Sequence, residues 1–155
     1  MDFDMNKWCE RLIKQEGLSL MPYKCPLGKL TIGVGRNLED NPLTYEEKRA
    51  LGDYMHGITK NGAMMLLRND IVRCYFEAKK IFKSFSDLNE DRQYALVDMC
   101  FQLGSGGVRK FRNMRKAIDK NDFEGAYKAC ISSLYAKQTP KRAYKIAEAI
   151  RCGVW

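Results

Sequence analysis

The chain has 155 residues, 45% hydrophobic and 30% charged, which is the composition of one globular domain and leaves no room for a second full domain. Its formal net charge of +8 is uneven, because residues 109–155 carry 12 basic and 4 acidic side chains whereas residues 1–108 carry 15 of each. That excess indicates a polyanionic partner, either nucleic acid, anionic lipid or an acidic cell-wall polymer, or else a basic face that contacts only solvent.

The first 36 residues predict a helix followed by a small β-region. Apolar residues spaced three and four apart indicate a helix over residues 5–15, and Glu16-Gly17 ends it. Glu16 is therefore expected at a helix C-terminus, where an additional negative charge is unfavourable. Between residues 18 and 36, prolines and glycines interrupt short apolar pieces, a pattern typical of short strands joined by tight turns.

Two helices are predicted for the middle of the chain. Thr44 and Glu47 have the spacing of a capping box and begin a short helix that runs toward Leu51. Thr59 can cap a long helix over about 60–82, which would span about 30 Å at the usual helical rise. A helix of that length in so small a protein is expected to join two lobes.

The rest of the chain predicts four more helices. They run from the N-cap Asn89 to a stop at Gly104, near 108–119, near 122–135, and onward from Thr139-Pro140. Residues 104–107 are expected to form a loop. The predicted fold class is therefore α+β and mainly helical.

The cysteines and the N-terminus exclude several kinds of site. No cysteine pair has CxxC spacing and His56 is the only histidine, so no metal site is expected. Residues 1–20 contain four acidic side chains where a secretion signal needs an apolar core, so we expect a cytosolic protein with reduced thiols. Cys74, Cys100 and Cys130 lie among apolar residues at helical spacing, which predicts buried structural thiols. No apolar run approaches the roughly 20 residues of a membrane span.

Three polar residues near the β-region are difficult to explain as packing. Glu16 ends the first helix, Cys25 lies in a turn and Thr31 lies in a strand, at the spacing Glu-x8-Cys-x5-Thr. With the Ile-Gly-Val-Gly that follows at 32–35, this spacing resembles the signature of the phage-type lysozymes, the endolysins of glycoside hydrolase family 24. In that family the signature is Glu-x8-Asp/Cys-x5-Thr followed by Ile-Gly-x-Gly.

Three further blocks are similar to the same family. They are Ile58-Thr59-Lys60 with Asn69-Asp70, Phe101-Gln102-Leu103-Gly104, and Gln138-Thr139-Pro140 with Arg142-Ala143. Four blocks in the family's order between residues 15 and 143 argue strongly against coincidence. The resemblance implies a two-lobed lysozyme-like fold with a cleft between the lobes. The β-containing lobe would cover about 15–58, the connecting helix about 60–82, and the helical lobe about 84–155 together with the N-terminal helix.

The resemblance implies hydrolysis of the β-1,4 bond between N-acetylmuramic acid and N-acetylglucosamine in bacterial peptidoglycan, without a cofactor. Glu16 would be the general acid that protonates the glycosidic oxygen, and Thr31 would position the attacking water. Cys25 takes the position that is aspartate in most relatives. An ordinary thiol is mostly neutral at pH 7, so a catalytic Cys25 requires a neighbouring cation, and Lys24 or Arg36 is the candidate.

The mechanism at Cys25 stays open on the sequence alone. A nucleophilic thiolate would retain the anomeric configuration, whereas a thiolate that activates water would invert it. Glu16 and Thr31 could also suffice without Cys25.

The resemblance implies binding roles for several other residues. Arg36 and Asp70 would form an ion pair that ties the lobes together, or else an exposed pair of little energetic value. Substrate would be bound by Asn37, by the ring of Phe101, by the amide of Gln102 and by Arg142. The ring would pack on a sugar face, and the amide would bond N-acetyl or hydroxyl groups. Arg142 would orient the acid or bind peptide-stem carboxylates. The alternatives are a core position for Phe101 and a solvated arginine at 142.

Two other classes of function compete with this interpretation. A cysteine amidase or endopeptidase would use Cys25 with His56 as its base. A non-enzymatic nucleic-acid-binding protein would explain the +8 charge, but no helix-turn-helix, zinc or RNP signature is present, so we expect no nucleic-acid partner.

The expected partners are peptidoglycan and the anionic cell envelope, bound by a monomer. Without a signal or anchor segment, the protein would accumulate in the cytoplasm of an infected bacterium. Family resemblance implies that it reaches the wall through a membrane lesion made by a separate holin.

Overall fold

The computed structural model describes all 155 residues and divides them into two compact units, Met1–Val72 and Arg73–Trp155. Helices account for 66% of the residues and the only sheet has three strands, which confirms the mainly helical α+β class. None of the helices combines the length and the apolarity needed to cross a bilayer.

The first unit contains the whole β-region. Its elements are α1 (Met5–Glu16), β1 (Ser19–Lys24), β2 (Leu30–Gly33), β3 (Arg36–Asn37) and α2 (Tyr45–Leu51). The strands form an antiparallel sheet in the order β1-β2-β3. Helix α1 ends as predicted, because Gly17 has φ 75° and its N–H donates to the Ile13 carbonyl at 2.7 Å. The capping box of α2 is complete, with Thr44 and Glu47 each accepting from the other's backbone N–H.

The long helix α3 runs over Lys60–Ile81, close to the predicted limits. Thr59 caps it as expected, since its hydroxyl accepts from the Gly62 N–H at 3.0 Å. Leu66, in the second turn of α3, belongs to a buried cluster that also contains Ile32 of β2 and Ile58. This cluster packs α3 against the sheet. The boundary between the two units falls inside this helix, after Val72.

The second unit is entirely helical. It comprises α4 (Glu90–Arg109), α5 (Arg112–Asp119), α6 (Phe123–Ile131), α7 (Leu134–Gln138) and α8 (Pro140–Cys152). Cys74, Cys100 and Cys130 are buried, which confirms their predicted role as core thiols. Burial raises the pKa of Cys100 to about 12 and that of Cys130 to about 11, so both remain uncharged.

Three details of the second unit differ from the prediction. The expected loop over 104–107 is wrong, because only Gly104 leaves helical geometry (φ 73°, ψ 159°) and the next residues form another turn of α4. The expected single helix over 122–135 is also wrong. Ser133 takes an extended conformation and its hydroxyl accepts from the Ala136 N–H, so a new helix begins at Leu134. Helix α8 begins where predicted, with Thr139 as its N-cap residue and Pro140 as its first residue, but the Thr139 hydroxyl donates to the Tyr135 carbonyl rather than capping α8.

A buried arginine organises the first unit. Arg36 is only 6% exposed, and all five of its N–H groups are engaged. Nε and Nη2 donate to the carbonyls of Asn41 and Pro42, and Nη1 donates to Asp70 at 3.0 Å. The remaining donors form a fork with both carboxylate oxygens of Glu47, at 2.8 and 3.1 Å. The Arg36–Asp70 pair is therefore buried rather than exposed, and it joins β3 to α3 within one unit.

Glu47 was predicted only as a capping residue, yet it is the second anion of this cluster. Burial by itself would raise its pKa, but hydrogen bonds from Arg36, the Thr44 backbone and Asn69 lower the pKa to about 2. A carboxyl whose pKa is lower in the folded than in the unfolded chain stabilises the fold above the unfolded value. That stabilisation disappears as the pH falls toward the folded value.

We therefore expect Glu47→Gln to reduce the free energy of unfolding by about 3 kcal/mol at pH 7, with the difference shrinking between about pH 5 and pH 2. Urea unfolding of both proteins across that pH range measures it. The exposed neighbour provides a matched control, because Glu46→Gln should change stability by less than about 0.5 kcal/mol at every pH. A constant difference between wild type and Glu47→Gln across the range would contradict this assignment.

Candidate active site

The carboxyl group of Glu16 lies directly on the backbone of Gly35. A Cβ atom built at Gly35 would be 2.9 Å from Glu16 Oε2, and the residue has φ +64°. A side chain at position 35 would therefore force the Glu16 carboxyl group to move and would also strain the backbone. This contact gives the second glycine of the Ile-Gly-Val-Gly segment a physical reason, since it lets the chain approach the end of α1.

Cys25 lies in the tight turn between β1 and β2. Its N–H donates to the Lys29 carbonyl at 2.9 Å, and its own carbonyl accepts from the Gly28 N–H at 2.8 Å. Hydrogen bonding to the sulfur lowers the pKa of the half-buried thiol, chiefly through the Lys29 N–H and further through the Leu27 N–H and the Thr31 hydroxyl, against the opposing effect of burial. The turn therefore favours the thiolate.

The cation beside Cys25 is not one of those expected from the sequence. The Lys29 ammonium, rather than Lys24 or Arg36, contributes to lowering the pKa of the thiol. Lys29 is itself held by Asp40 at 2.8 Å, and Arg36 has every donor occupied elsewhere. The backbone N–H groups of Lys29 and Leu27 lower the pKa of the thiol more than the Lys29 charge does. Because almost every residue type has a backbone N–H, the sequence does not indicate these contacts.

Thr31 connects Cys25 to the sheet. It is almost completely buried in β2, and its hydroxyl lies 3.0 Å from the Lys29 carbonyl as well as within hydrogen-bonding reach of the Cys25 sulfur. The single hydroxyl proton serves one acceptor at a time. Ionisation of Cys25 therefore competes with the Lys29 carbonyl for that proton.

Tyr23 is a site residue that sequence reasoning missed. It pairs with Thr31 across β1 and β2, and Thr31 pairs with Asn37 across β2 and β3, so the three side chains form one row on the sheet. Burial and then the negative charges of Glu16 and Cys25 raise the pKa of Tyr23. The available signal was the strand alternation, which puts Tyr23 on the same side as Cys25 two residues later.

The side chain of Asn37 shapes the turn after β3. Its Oδ1 accepts from the N–H groups of Glu39 and Asp40 at 3.0 Å, and its Nδ2 donates to the Asp40 carboxylate at 2.9 Å. The amide thus has a structural role here, and its role in substrate binding stays a prediction.

The other predicted binding residues lie in the second unit. Arg142 forms an ion pair with the fully buried carboxylate of Asp98. Because the Arg142 side chain is itself only 12% exposed, it is not a solvated surface arginine. Gln102 accepts a hydrogen bond at 2.7 Å from the hydroxyl of Tyr135. Phe101 is half-buried and thus neither fully in the core nor fully open. The sequence had not indicated Asp98 or Tyr135.

The structure separates His56 from Cys25. His56 is 85% exposed and pairs with Asp53 at 2.7 Å, in a short 3₁₀ turn. That turn is attached to the start of β1, because the Ile58 N–H donates to the Leu20 carbonyl at 2.8 Å. Cys25 follows the other end of the strand, five residues and about 16 Å away. The geometry therefore does not support a Cys25–His56 dyad.

Residues 13–145 match the family model described as phage lysozyme. The chain belongs to this family, which confirms the resemblance drawn from its four sequence blocks. Among its relatives is the pre-baseplate central spike protein Gp5 of Enterobacteria phage T4, 33% identical over 157 residues. That match covers 93% of this chain but only 27% of the spike protein. Two probable T4-type lysozymes of Dictyostelium discoideum, numbered 2 and 1, are 26% and 27% identical, with 89% of each chain covered.

The hydrogen bonds to Cys25 predict a reactive thiol that depends on Thr31. In a Cys152→Ser background, which removes the exposed thiol, iodoacetamide should alkylate the half-buried Cys25 at neutral pH while buried Cys100 and Cys130 stay unmodified. Thr31→Val should move the alkylation midpoint to higher pH, because it deletes a donor to the thiolate. Thr31→Ser keeps the hydroxyl and serves as the control. Mass spectrometry across a pH series measures this, and identical midpoints for Val and Ser would refute the role of Thr31.

Proposed function

We propose that the protein is a muramidase that hydrolyses the β-1,4 bond between N-acetylmuramic acid and N-acetylglucosamine in bacterial peptidoglycan. The observation that carries the proposal is the arrangement in the first unit. There, the Glu16 carboxyl group lies against Gly35, and the pKa of Cys25, in the turn between β1 and β2, is lowered by hydrogen bonding to which Thr31 contributes. Membership of the phage lysozyme family supports the reaction type.

Glu16 is the general acid in this proposal. Its carboxyl group lies against Gly35, and its position at the C-terminus of α1 places it at the negative end of the helix dipole. Glu16 transfers a proton to the glycosidic oxygen, and the bond from that oxygen to the anomeric carbon breaks. The leaving sugar departs with the oxygen, while an oxocarbenium-like positive charge develops at the anomeric carbon of the other sugar.

Cys25 supplies the negative charge that an aspartate supplies in most relatives. The Lys29 and Leu27 N–H groups stabilise its thiolate without a dedicated base. In this proposal, a water molecule held by the Thr31 hydroxyl lies beside the Cys25 thiolate and loses a proton to it. Attack by that water molecule inverts the anomeric configuration and forms no covalent thioglycoside.

Substitutions at the two acidic positions test the proposal on purified peptidoglycan. Glu16→Gln should reduce the release of new reducing ends by at least about 100-fold, because it removes the transferable proton. Cys25→Ser should cause a comparable loss, since a serine hydroxyl is neutral at pH 7, and Cys25→Asp should restore most of the activity. Full activity of Glu16→Gln would overturn the proposal, and released amino groups without reducing ends would indicate an amidase.

The basic surface of residues 109–155 is proposed to attract the anionic envelope. A triple change of the exposed Lys110, Lys116 and Lys128 to glutamine should weaken binding to cell walls more at low than at high salt, and leave turnover of small soluble fragments nearly unchanged. A triple change of exposed Lys14, Lys48 and Lys60 removes the same charge from the first unit and serves as control. Equal losses on walls and fragments would contradict a separate attraction role.

In the proposed setting, the enzyme accumulates in the cytoplasm of an infected bacterium and reaches the wall at lysis through a holin lesion. The match to part of a baseplate spike protein favours a second setting, in which the same chemistry operates within a spike assembly. Fractionation of infected cells distinguishes them, because a spike component would sediment with virus particles and a free endolysin would not.

A further inference from the structure

The turn that carries Cys25 is joined to the loop after β3 through Lys29. The carbonyl of Lys29 accepts from the Cys25 N–H at 2.9 Å and from the Thr31 hydroxyl at 3.0 Å. At the other end of the same residue, the ammonium group donates to both carboxylate oxygens of Asp40, at 2.8 and 2.9 Å. Lys29 therefore links the backbone of the thiol turn to a carboxylate 11 residues further along the chain.

Asp40 is itself held in place by its neighbours. Asn37 donates to the Asp40 carboxylate through Nδ2 at 2.9 Å, and its Oδ1 accepts from the Asp40 N–H at 3.0 Å. The adjacent residue, Glu39, accepts from the Leu30 N–H at 2.7 Å, which attaches the loop to the start of β2. An isolated exposed ion pair contributes little, but the Lys29–Asp40 pair belongs to a network of hydrogen bonds that orients the carboxylate.

The charges around this turn keep Lys29 protonated close to the thiol. Hydrogen bonding to Asp40 is the main cause that raises the pKa of Lys29, and the charges of Asp40 and Glu39 add to it. Cys25 also raises the pKa of Lys29, and the Lys29 ammonium lowers that of Cys25, so the two groups lie within electrostatic range. Tyr23, the titratable side chain on β1, has a raised pKa and is neutral at pH 7. Lys29 is therefore the cation that acts on the thiol.

We propose that Asp40 is a positioning residue for the reaction, because it holds the Lys29 ammonium beside the Cys25 thiolate. The inference rests on the proposed function, in which Cys25 supplies a negative charge. A lysine side chain is long and flexible, so without a partner its ammonium would lie mainly in solvent, where its charge is screened. An aspartate at position 25 would be ionised at pH 7 without such help. The Lys29–Asp40 pair thus adapts the turn to a cysteine.

The pH dependence of Cys25 alkylation measures this role without any substrate. In the Cys152→Ser background, Lys29→Met and Asp40→Asn should both move the alkylation midpoint to higher pH, since the first removes the cation and the second releases it. We expect the rate of reaction with iodoacetamide at pH 7 to fall by about two- to fivefold, the effect of an exposed ion pair. Lys29→Arg, which keeps the charge and can still bind Asp40, should keep the wild-type midpoint.

The controls make the same charge changes elsewhere in the first unit. Lys48→Met and Glu46→Gln, both exposed on α2, should leave the alkylation midpoint of Cys25 unchanged. Should Asp40→Asn fail to fold, Asp40→Ser takes its place. A shift in Lys29→Met without one in the Asp40 variant would overturn the inference, because Lys29 would then act on the thiol unaided.

Combination with Cys25→Asp separates positioning of the cation from support of the fold. On purified peptidoglycan at pH 7, Lys29→Met and Asp40→Asn should lower the release of reducing ends by about two- to fivefold. In the Cys25→Asp protein the same two changes should have almost no effect, since the new carboxyl group is ionised in any case. Equal losses in both backgrounds would show a merely structural role and overturn the inference. Full activity of Cys25→Ser would defeat the proposed role of the thiolate, yet the alkylation midpoints would still show whether Asp40 positions Lys29.

Discussion

The buried guanidinium of Arg36 is the constraint on which the first unit depends. Five donors on one rigid plane fix three separate pieces of chain at once, namely the loop that carries the Asn41 and Pro42 carbonyls, α2 through Glu47, and α3 through Asp70. Gly35 precedes Arg36 directly, so the backbone that supports Glu16 is held by the same plane. Burial of one cation with two carboxylates is expensive, and removal of any partner exposes that cost. The cluster therefore acts mainly by defining a geometry.

The turn at Cys25 shows how a thiol can occupy an aspartate position. An aspartate is ionised at neutral pH without assistance, whereas a cysteine requires an environment that prefers the thiolate. Here the lowering of the pKa comes mostly from hydrogen bonding by the Lys29 and Leu27 N–H groups and the Thr31 hydroxyl, with the Lys29 ammonium as a smaller contributor. The loop conformation, held by its own backbone hydrogen bonds, is thus part of the chemistry.

The second unit uses paired polar groups for a different purpose. Asp98 holds Arg142, and Tyr135 holds Gln102, so each outer residue is restrained by a buried partner. A restrained side chain loses less conformational entropy when it binds a ligand than a free one does. The residues proposed for the reaction lie in residues 1–72. The predicted binding residues other than Asn37, and the excess basic charge, lie beyond that point.

The sequence by itself determined the features that depend on neighbouring residues. The end of α1 at Gly17, the capping box at Thr44, the limits of α3 and the spacing of Glu16, Cys25 and Thr31 are all local, and hydrophobic period or capping chemistry is sufficient to predict them. Local signals failed where alternatives were close in energy. Near Gly104 a helix can resume after one non-helical residue, and at Ser133 a serine can start a new helix inside an apolar pattern.

Only the tertiary structure decided which distant groups meet. Glu47 has the same signature whether it merely caps α2 or also binds Arg36, and Tyr135 looks like an ordinary core aromatic until its hydroxyl reaches Gln102, 33 residues away. The backbone donors at Cys25 carry no residue identity at all. These contacts depend on how separate elements pack and on the direction of individual N–H and O–H bonds. Neither residue type nor spacing encodes that information.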